Sequence, residues 1–199
     1  MIEKMIPDEK ECISLLEKYN TPHHIILHSK KVWQVGELIG EKVRNHLEID
    51  MDLLRASCLL HDIGKYPSIV GMKRYHDVMG EEILVAEGLP VVGNIIVQHV
   101  ILRSDVSVRV SEEHLLFYAD KRVVHDNVVS LEDRFVYLID TYGKTSEAVK
   151  RLLEMKEETK RVEDAIFAFI DFSPEEIIRL IPRITESRDP TLNEKNSKS

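Results

Sequence analysis

Hydrophobic residues recur at steps of three and four along most of this chain, the spacing that gathers them on one face of a helix. The pattern predicts helices over about 8–19, 22–47, 50–62, 75–87, 90–102, 111–124, 131–142, 145–170 and 173–184. Start signals agree with several of these. Asp50 and Ser111 suit N-caps, Ser130 is followed at the third position by Asp133, and Ser173-Pro174-Glu175-Glu176 combines a capping box with proline in the first turn. Gly88 and Gly143 mark stops. The one alternating stretch, Val106 to Val110, has no evident partner strand and reads as an extended loop. The mixed charges of 150–164 read as a solvated helix face. Beyond 184 the apolar periodicity is lost. The expected organisation is a single all-α domain over 1–184, with a core at 22–124, C-terminal helices at 131–184 and a disordered tail at 185–199.

Composition narrows the function classes. The 27 Lys and Arg against 35 Asp and Glu give a net charge of −8, which supplies no basic field for a phosphate backbone and argues against bulk nucleic acid as a partner. With 8 Gly and 7 Pro there are too few turn residues for a sandwich of short strands. Cys12 and Cys58 form neither a disulfide framework nor a zinc-cysteine spacing, which fits a reducing cytoplasm. The charged first turns leave no signal peptide and no later run is long enough for a membrane span, so a cytoplasmic protein with no membrane partner is expected.

Five ionisable side chains interrupt apolar stripes. His28 sits in the line Ile25, Val32, Val35, Ile39, Val43; His61 continues Leu54 and Cys58. His76 shares a face with Gly80 and Ile83, His99 follows Val92 and Ile95 or Ile96, and Asp120 lies between Leu116 and Val123. A buried ionisable group costs free energy unless it is paired, hydrogen-bonded or bound to metal. One inward histidine is usually a satisfied core residue. Five on five successive helices, with Asp62 beside His61, would fit around one cation, and imidazole with carboxylate is the donor set of a borderline divalent metal. Neighbours such as His61 and Asp62 differ by about 100° on a continuous helix, so a local bend is needed, and Gly64 and Pro67 follow at once.

In this order, His28, then His61-Asp62 within LLHDIGK, then Asp120 within YADKR, the residues resemble the HD superfamily of metal-dependent phosphohydrolases. The resemblance covers roughly 22–124, about half the chain, and is nearest to HDIG-type proteins and to bacterial HD hydrolases of diadenosine tetraphosphate. It implies a helical bundle with the metal between facing helices, and a divalent transition ion (iron, manganese, nickel, cobalt or zinc) held by His28, His61, Asp62 and Asp120. Asp62 would also orient the attacking water, and Lys65 would contact a substrate phosphate. His76 and His99 match histidines that bind substrate or a second ion. Unlike the branch marked by a GYP segment, this chain lacks that segment and has Val100 after His99, which argues against a tight second metal and against cyclic dinucleotide cleavage.

The expectation is a phosphohydrolase for a small, nucleotide-like substrate, a dinucleoside polyphosphate being one form. A nucleoside monophosphatase, a non-catalytic metal or nucleotide-binding signalling module, and a structural bundle with a buried His/Asp network are the alternatives. Arg74, Arg103, Lys121 and Arg122 could rim the site, but each taken alone is a solvated charge; His23, His24, His46, His114 and His125 fall off the stripes and read as surface residues. Three roles stay open for the helices at 145–170 and 173–184: covering the core, lidding the site, or forming a homodimer.

Overall fold

A computed structural model of the chain describes residues 6–72 and 75–181. The expected tail at 185–199 and Arg74 lie outside the described residues. Ten α-helices or helical turns follow one another: α1 Glu9–Lys18, α2 His23–Val43, α3 Met51–Leu60, α4 Lys65–Pro67, α5 His76–Ala86, α6 Pro90–Ile96, α7 Glu112–Lys121, α8 Leu131–Tyr142, α9 Ser146–Phe167 and α10 Ile177–Leu180. A π-helical turn, Ser68–Met72, follows α4, and a 3-10 turn, Pro174–Glu176, leads into α10. The fold is all-α, as expected, and no helix among the described residues is long and apolar enough to cross a membrane.

Capping chemistry sets several boundaries. Asp8 and Glu11 form a reciprocal capping box on α1, and Asp50, Ser130 and Thr145 accept from the third backbone N–H of α3, α8 and α9. The core is assembled on α2 and α3, whose stripes Val32, Val35, Ile39 and Leu54, Cys58 are buried with Leu115, Leu116 and Ala119 of α7. These two helices approach closely because Gly36 has no side chain: a Cβ there would stand 2.8 Å from the Cys58 Sγ. This contact holds the start of α2 and the end of α3, where His28 and His61 lie, against one another.

Three expectations need correction. The helix expected to reach 124 ends at Lys121, and a two-stranded antiparallel hairpin follows, pairing Val123 with Val128 and Val124 with Asn127. At two residues per strand it is too short to show alternation. Arg122, expected to be solvated, is 1% exposed. Its Nε donates to the Val129 carbonyl (2.8 Å), its Nη2 to the Pro174 carbonyl (2.9 Å) and its Nη1 to the Tyr118 hydroxyl (2.5 Å), which in turn donates to Glu163 Oε2 (2.7 Å). This clasp ties the hairpin, α9 and the 174 turn to α7. The segment 150–164 is accordingly not a purely solvated face, since Thr159, Val162 and Glu163 are buried in it.

Candidate metal centre

The ionisable residues predicted to point inward converge at one end of the bundle. His28 comes from the second turn of α2, Asp120 from the last turn of α7, His76 from the first residue of α5, and His99 from the turn after α6. After Leu60 the backbone of α3 tightens, with Ile63 N–H donating to the Leu60 carbonyl and Lys65 N–H to the Asp62 carbonyl, both three residues back. That departure from the α-helix lets neighbours His61 and Asp62 share a site, with His61 Nε2 3.3 Å from Asp62 Oδ2. Gly64 then permits α5 to cross at backbone contact. A Cβ at that position would meet the His76 carbonyl oxygen at 2.1 Å.

Backbone carbonyls fix the orientation of three rings. His28 Nδ1 donates to the His125 carbonyl (2.7 Å), His61 Nδ1 to Cys58 (2.9 Å) and His99 Nδ1 to Ile96 (2.6 Å). A carbonyl oxygen only accepts, so each Nδ1 carries the hydrogen and each ring turns its Nε2 to the centre. There the ring nitrogens meet carboxylate oxygens and one another. His28 Nε2 is 3.2 Å from Asp120 Oδ1 and 3.9 Å from Asp62 Oδ2; His76 and His99 Nε2 each lie 3.6 Å from Asp62 Oδ1 and 3.0 Å from one another. Two buried atoms, His61 Nε2 and Asp62 Oδ1, have no hydrogen-bond partner. Imidazole nitrogens and carboxylate oxygens gathered this closely in a buried pocket suit a cation between them. The donor atoms fall into two compact groups, His28-His61-Asp62 and Asp62-His76-His99, with Asp62 common to both. These residues fit a divalent metal.

Charge in the centre is finely opposed. Burial alone would raise Asp62, but His61, Lys65 and hydrogen bonding outweigh it and hold the carboxyl well below its ordinary range. Burial likewise opposes ionisation of Asp120, and Lys121 and Arg134 overcome it. His61 is pulled down by burial and up by Asp62 and Asp120, with a net rise. Burial, reinforced by the neighbouring His99, holds His76 at about 4, and burial lowers His99, so both rings are neutral at pH 7 and available as metal donors.

Three cations surround the carboxylates. Lys65 Nζ lies 2.6 Å from Asp62 Oδ2; Lys121 Nζ donates to Asp120 Oδ2 (2.8 Å) and to the His99 carbonyl (2.7 Å); Arg134 Nη2 is 3.4 Å from Asp120 Oδ1. Lys121 is therefore a buried member of the site and not a solvated charge, whereas Arg103 is exposed. His23, His24, His46 and His125 are exposed as expected. His114 is not: it is buried under the N-cap of α7, its Nδ1 2.8 Å from Ser111 Oγ. Sequence reasoning missed Arg134 and the His125 carbonyl. Arg134 carried the same signal as the histidines, since it interrupts the stripe Leu131, Leu138, Tyr142 of α8. His125 adopts a left-handed φ of 55° at the hairpin turn, which no sequence pattern of two-residue strands announces.

The profile of the HD domain family matches residues 25–144. The chain is similar to the tRNA (cytidine(56)-2'-O)-methyltransferase of Thermoplasma volcanium, 29% identical over 168 residues that cover 76% of this chain and 46% of that protein. It is also similar to the protein of that name from Picrophilus torridus, 25% identical over 175 residues, 80% of this chain and 48% of the relative. The chain thus spans about half the length of the curated relatives it matches. No solved structure matches it significantly. With the profile covering more than half of the sequence and the inward His and Asp residues gathered at one centre, this chain belongs to the HD domain family.

Proposed function

We propose that this chain is a metal-dependent phosphohydrolase acting on a small phosphorylated molecule of the nucleotide class, with a dinucleoside polyphosphate as the favoured substrate. The observation that carries the reading is Asp62. Only 1% exposed, it turns Oδ2 towards His28 and His61 and Oδ1 towards His76 and His99, beside a cavity that also holds Lys65. His28, His61, Asp62 and Asp120 would hold a divalent transition ion, with His76 and His99 available for a second ion or for substrate. Such an ion, once bound, supplies a Lewis acid that lowers the pKa of water and offsets charge on the phosphoryl oxygens.

The chain's own residues supply the rest. Asp62 Oδ1 has no donor of its own and is placed to orient a water for attack on phosphorus. Lys65 Nζ, partly exposed at the cavity, can leave Asp62 for a phosphoryl oxygen. The Nε2 of neutral His76, at the mouth with its side chain 29% exposed, is the donor in its 3.0 Å contact with His99 and can turn that N–H to a phosphoryl oxygen. The water oxygen bonds to phosphorus as the bond to the leaving oxygen breaks, and the water's proton ends on the leaving group. No covalent enzyme intermediate is required. A cavity of about 260 Å³ and a net charge of −8 favour a small molecule over bulk nucleic acid. More than half of each relative lies outside the match, which leaves room for the methyl-transfer chemistry of their name in the part that this chain does not share.

A chromatographic product assay with Mn²⁺ or Fe²⁺ and a panel of nucleoside monophosphates, dinucleoside polyphosphates and cyclic nucleotides tests this. Turnover that disappears in Asp62→Ala is the expected result. Release of nucleotides alone identifies polyphosphate cleavage, whereas release of inorganic phosphate identifies a nucleoside monophosphatase. Metal binding without any turnover would replace the proposal with a non-catalytic binding module.

A further inference from the structure

The cavity holding Asp62, Lys65, His76 and His99 is not closed by the metal-binding helices alone. Its far wall comes from α8 and α9, through Leu138, Tyr142, Leu152 and Met155. The last two belong to the mixed-charge stretch that sequence reasoning assigned to solvent, and they lie beyond the family match at 25–144. The two ends of the cavity differ in chemistry. At the metal end, Lys65, Lys121 and Arg134 exceed Asp62 and Asp120 by one positive charge, before any metal is counted, in a chain whose net charge is −8. This end selects an anion. At the α8–α9 end the lining is apolar or aromatic: Leu138 is buried, Leu152 and Met155 are half-buried, and the Tyr142 ring is 58% exposed.

Arg134 stands between the ends. Its side chain is 11% exposed, its one ion pair among the described residues is the 3.4 Å approach to Asp120, long for a charge-assisted pair, its guanidinium stands 5.9 Å from the centre of the Tyr137 ring, and its buried Nε has no partner. A guanidinium fork so weakly engaged is ready to take a phosphoryl oxygen. A second cavity of about 490 Å³ shares Asp62, Lys65, His76, Arg134, Leu138 and Tyr142 and extends to His24, His125 and Tyr137, while Leu152 and Met155 line the first cavity alone. The phosphoryl position therefore adjoins a compact apolar pocket, closed by Leu152 and Met155, and a larger trough of mixed polarity.

Resting on the phosphohydrolase reading of this centre, we propose that the α8–α9 wall is the subsite for one flat, largely apolar ring system carried by the substrate phosphoryl group, with Arg134 gripping that group beside it. At about 260 Å³ the pocket takes a single ring system of nucleobase size. The remainder of a two-sided substrate lies in the trough.

Methylphosphonate and phenylphosphonate, whose C–P bonds do not hydrolyse, serve as probes in calorimetric titrations of the Mn²⁺-loaded full chain. Phenylphosphonate is expected to bind about tenfold more tightly, the advantage of one ring moved from water onto an apolar wall. Leu152→Asn and, at an exposed position that cannot disturb the core, Tyr142→Ala each shrink that ratio towards one. Arg134→Gln weakens both probes alike. Equal affinities in the parent chain, a ratio untouched by both wall variants, or failure of both probes to bind would overturn the subsite. If the chain hydrolyses phosphates yet the ratio is one, the subsite fails and the phosphohydrolase stands; a tenfold ratio without hydrolysis of any panel member keeps the subsite and removes the phosphohydrolase.

Discussion

Asp62→Asn separates a metal centre from a buried polar network. The substitution keeps the shape of a carboxylate shared by both donor groups and removes its charge. In the parent chain, stripped with chelator and then given Mn²⁺ at about 100-fold over its dissociation constant, binding to the folded state alone adds about 2.7 kcal/mol. For a domain of this size each kcal/mol moves the melting temperature by about 2–4 °C, so a rise of roughly 5–10 °C is expected. Loss of the shared carboxylate should weaken the metal by about 100-fold or more, given that even groups supporting a ligand are worth about 10–100-fold. At the same Mn²⁺ concentration the remaining stabilisation is then about 0.4 kcal/mol and the rise falls to about 1 °C. The metal-free variant will itself melt lower, because Lys65 and His61 lose an ionised partner at 2.6 and 3.3 Å, a cost of about 1–3 kcal/mol. The metal-induced rise, and not the absolute melting temperature, is therefore the readout of a scanning fluorimetry experiment. Glu163→Gln, which alters a buried acid in the Arg122 clasp away from the centre, should keep the full rise. An equal rise in Asp62→Asn and the parent, or none in the parent, would refute the reasoning.

Gly64→Ala drives a Cβ into the His76 carbonyl and the Gly80 backbone, so it should displace the start of α5 and destabilise by about 2–4 kcal/mol in urea unfolding, with a larger loss of metal affinity than Gly93→Ala. Arg122→Ala removes three hydrogen bonds and leaves Glu163 without its buried cation; a loss of about 3–5 kcal/mol is expected, and Arg122→Lys should not restore it because one ammonium cannot reach the Val129 and Pro174 carbonyls together. Burial pushes the Cys12 thiol up to about 12 from 9.0, so the unfolded chain loses this proton first; stability from this residue is intact below pH 9 and falls as pH rises towards 12. Alkaline unfolding followed by circular dichroism should accordingly shift to higher pH in Cys12→Ala relative to its own neutral-pH stability.

The centre was legible because burial is written in helical periodicity. A histidine or aspartate on an apolar stripe announces itself, and His28, His61, His76, His99 and Asp120 all did. Asp62 was legible only through its neighbour, since the tightened turn after Leu60 that lets both side chains converge depends on Gly64 lying against α5. Arg122 and Lys121 were misread because their partners, the Pro174 and His99 carbonyls, are 52 and 22 residues away, and a charge next to another charge looks solvated until a tertiary contact claims it. His114 was hidden behind two glutamates in a first turn whose cap it completes. The apolar wall from α9 was the hardest to see. Leu152 and Met155 sit among lysines and glutamates, and only the packing of α9 on α8 turns them towards the site.

The central claim is that water, made reactive in a centre built on Asp62, cleaves a phosphorus–oxygen bond. Hydrolysis of the favoured panel substrate in water enriched in oxygen-18, with the products weighed by mass spectrometry, tests it directly. One solvent oxygen in the phosphoryl product per cleavage, with turnover abolished by chelator, restored by Mn²⁺ and absent in Asp62→Ala, is the predicted result. Turnover that survives chelation or Asp62→Ala, or a phosphoryl product free of solvent label, would contradict it.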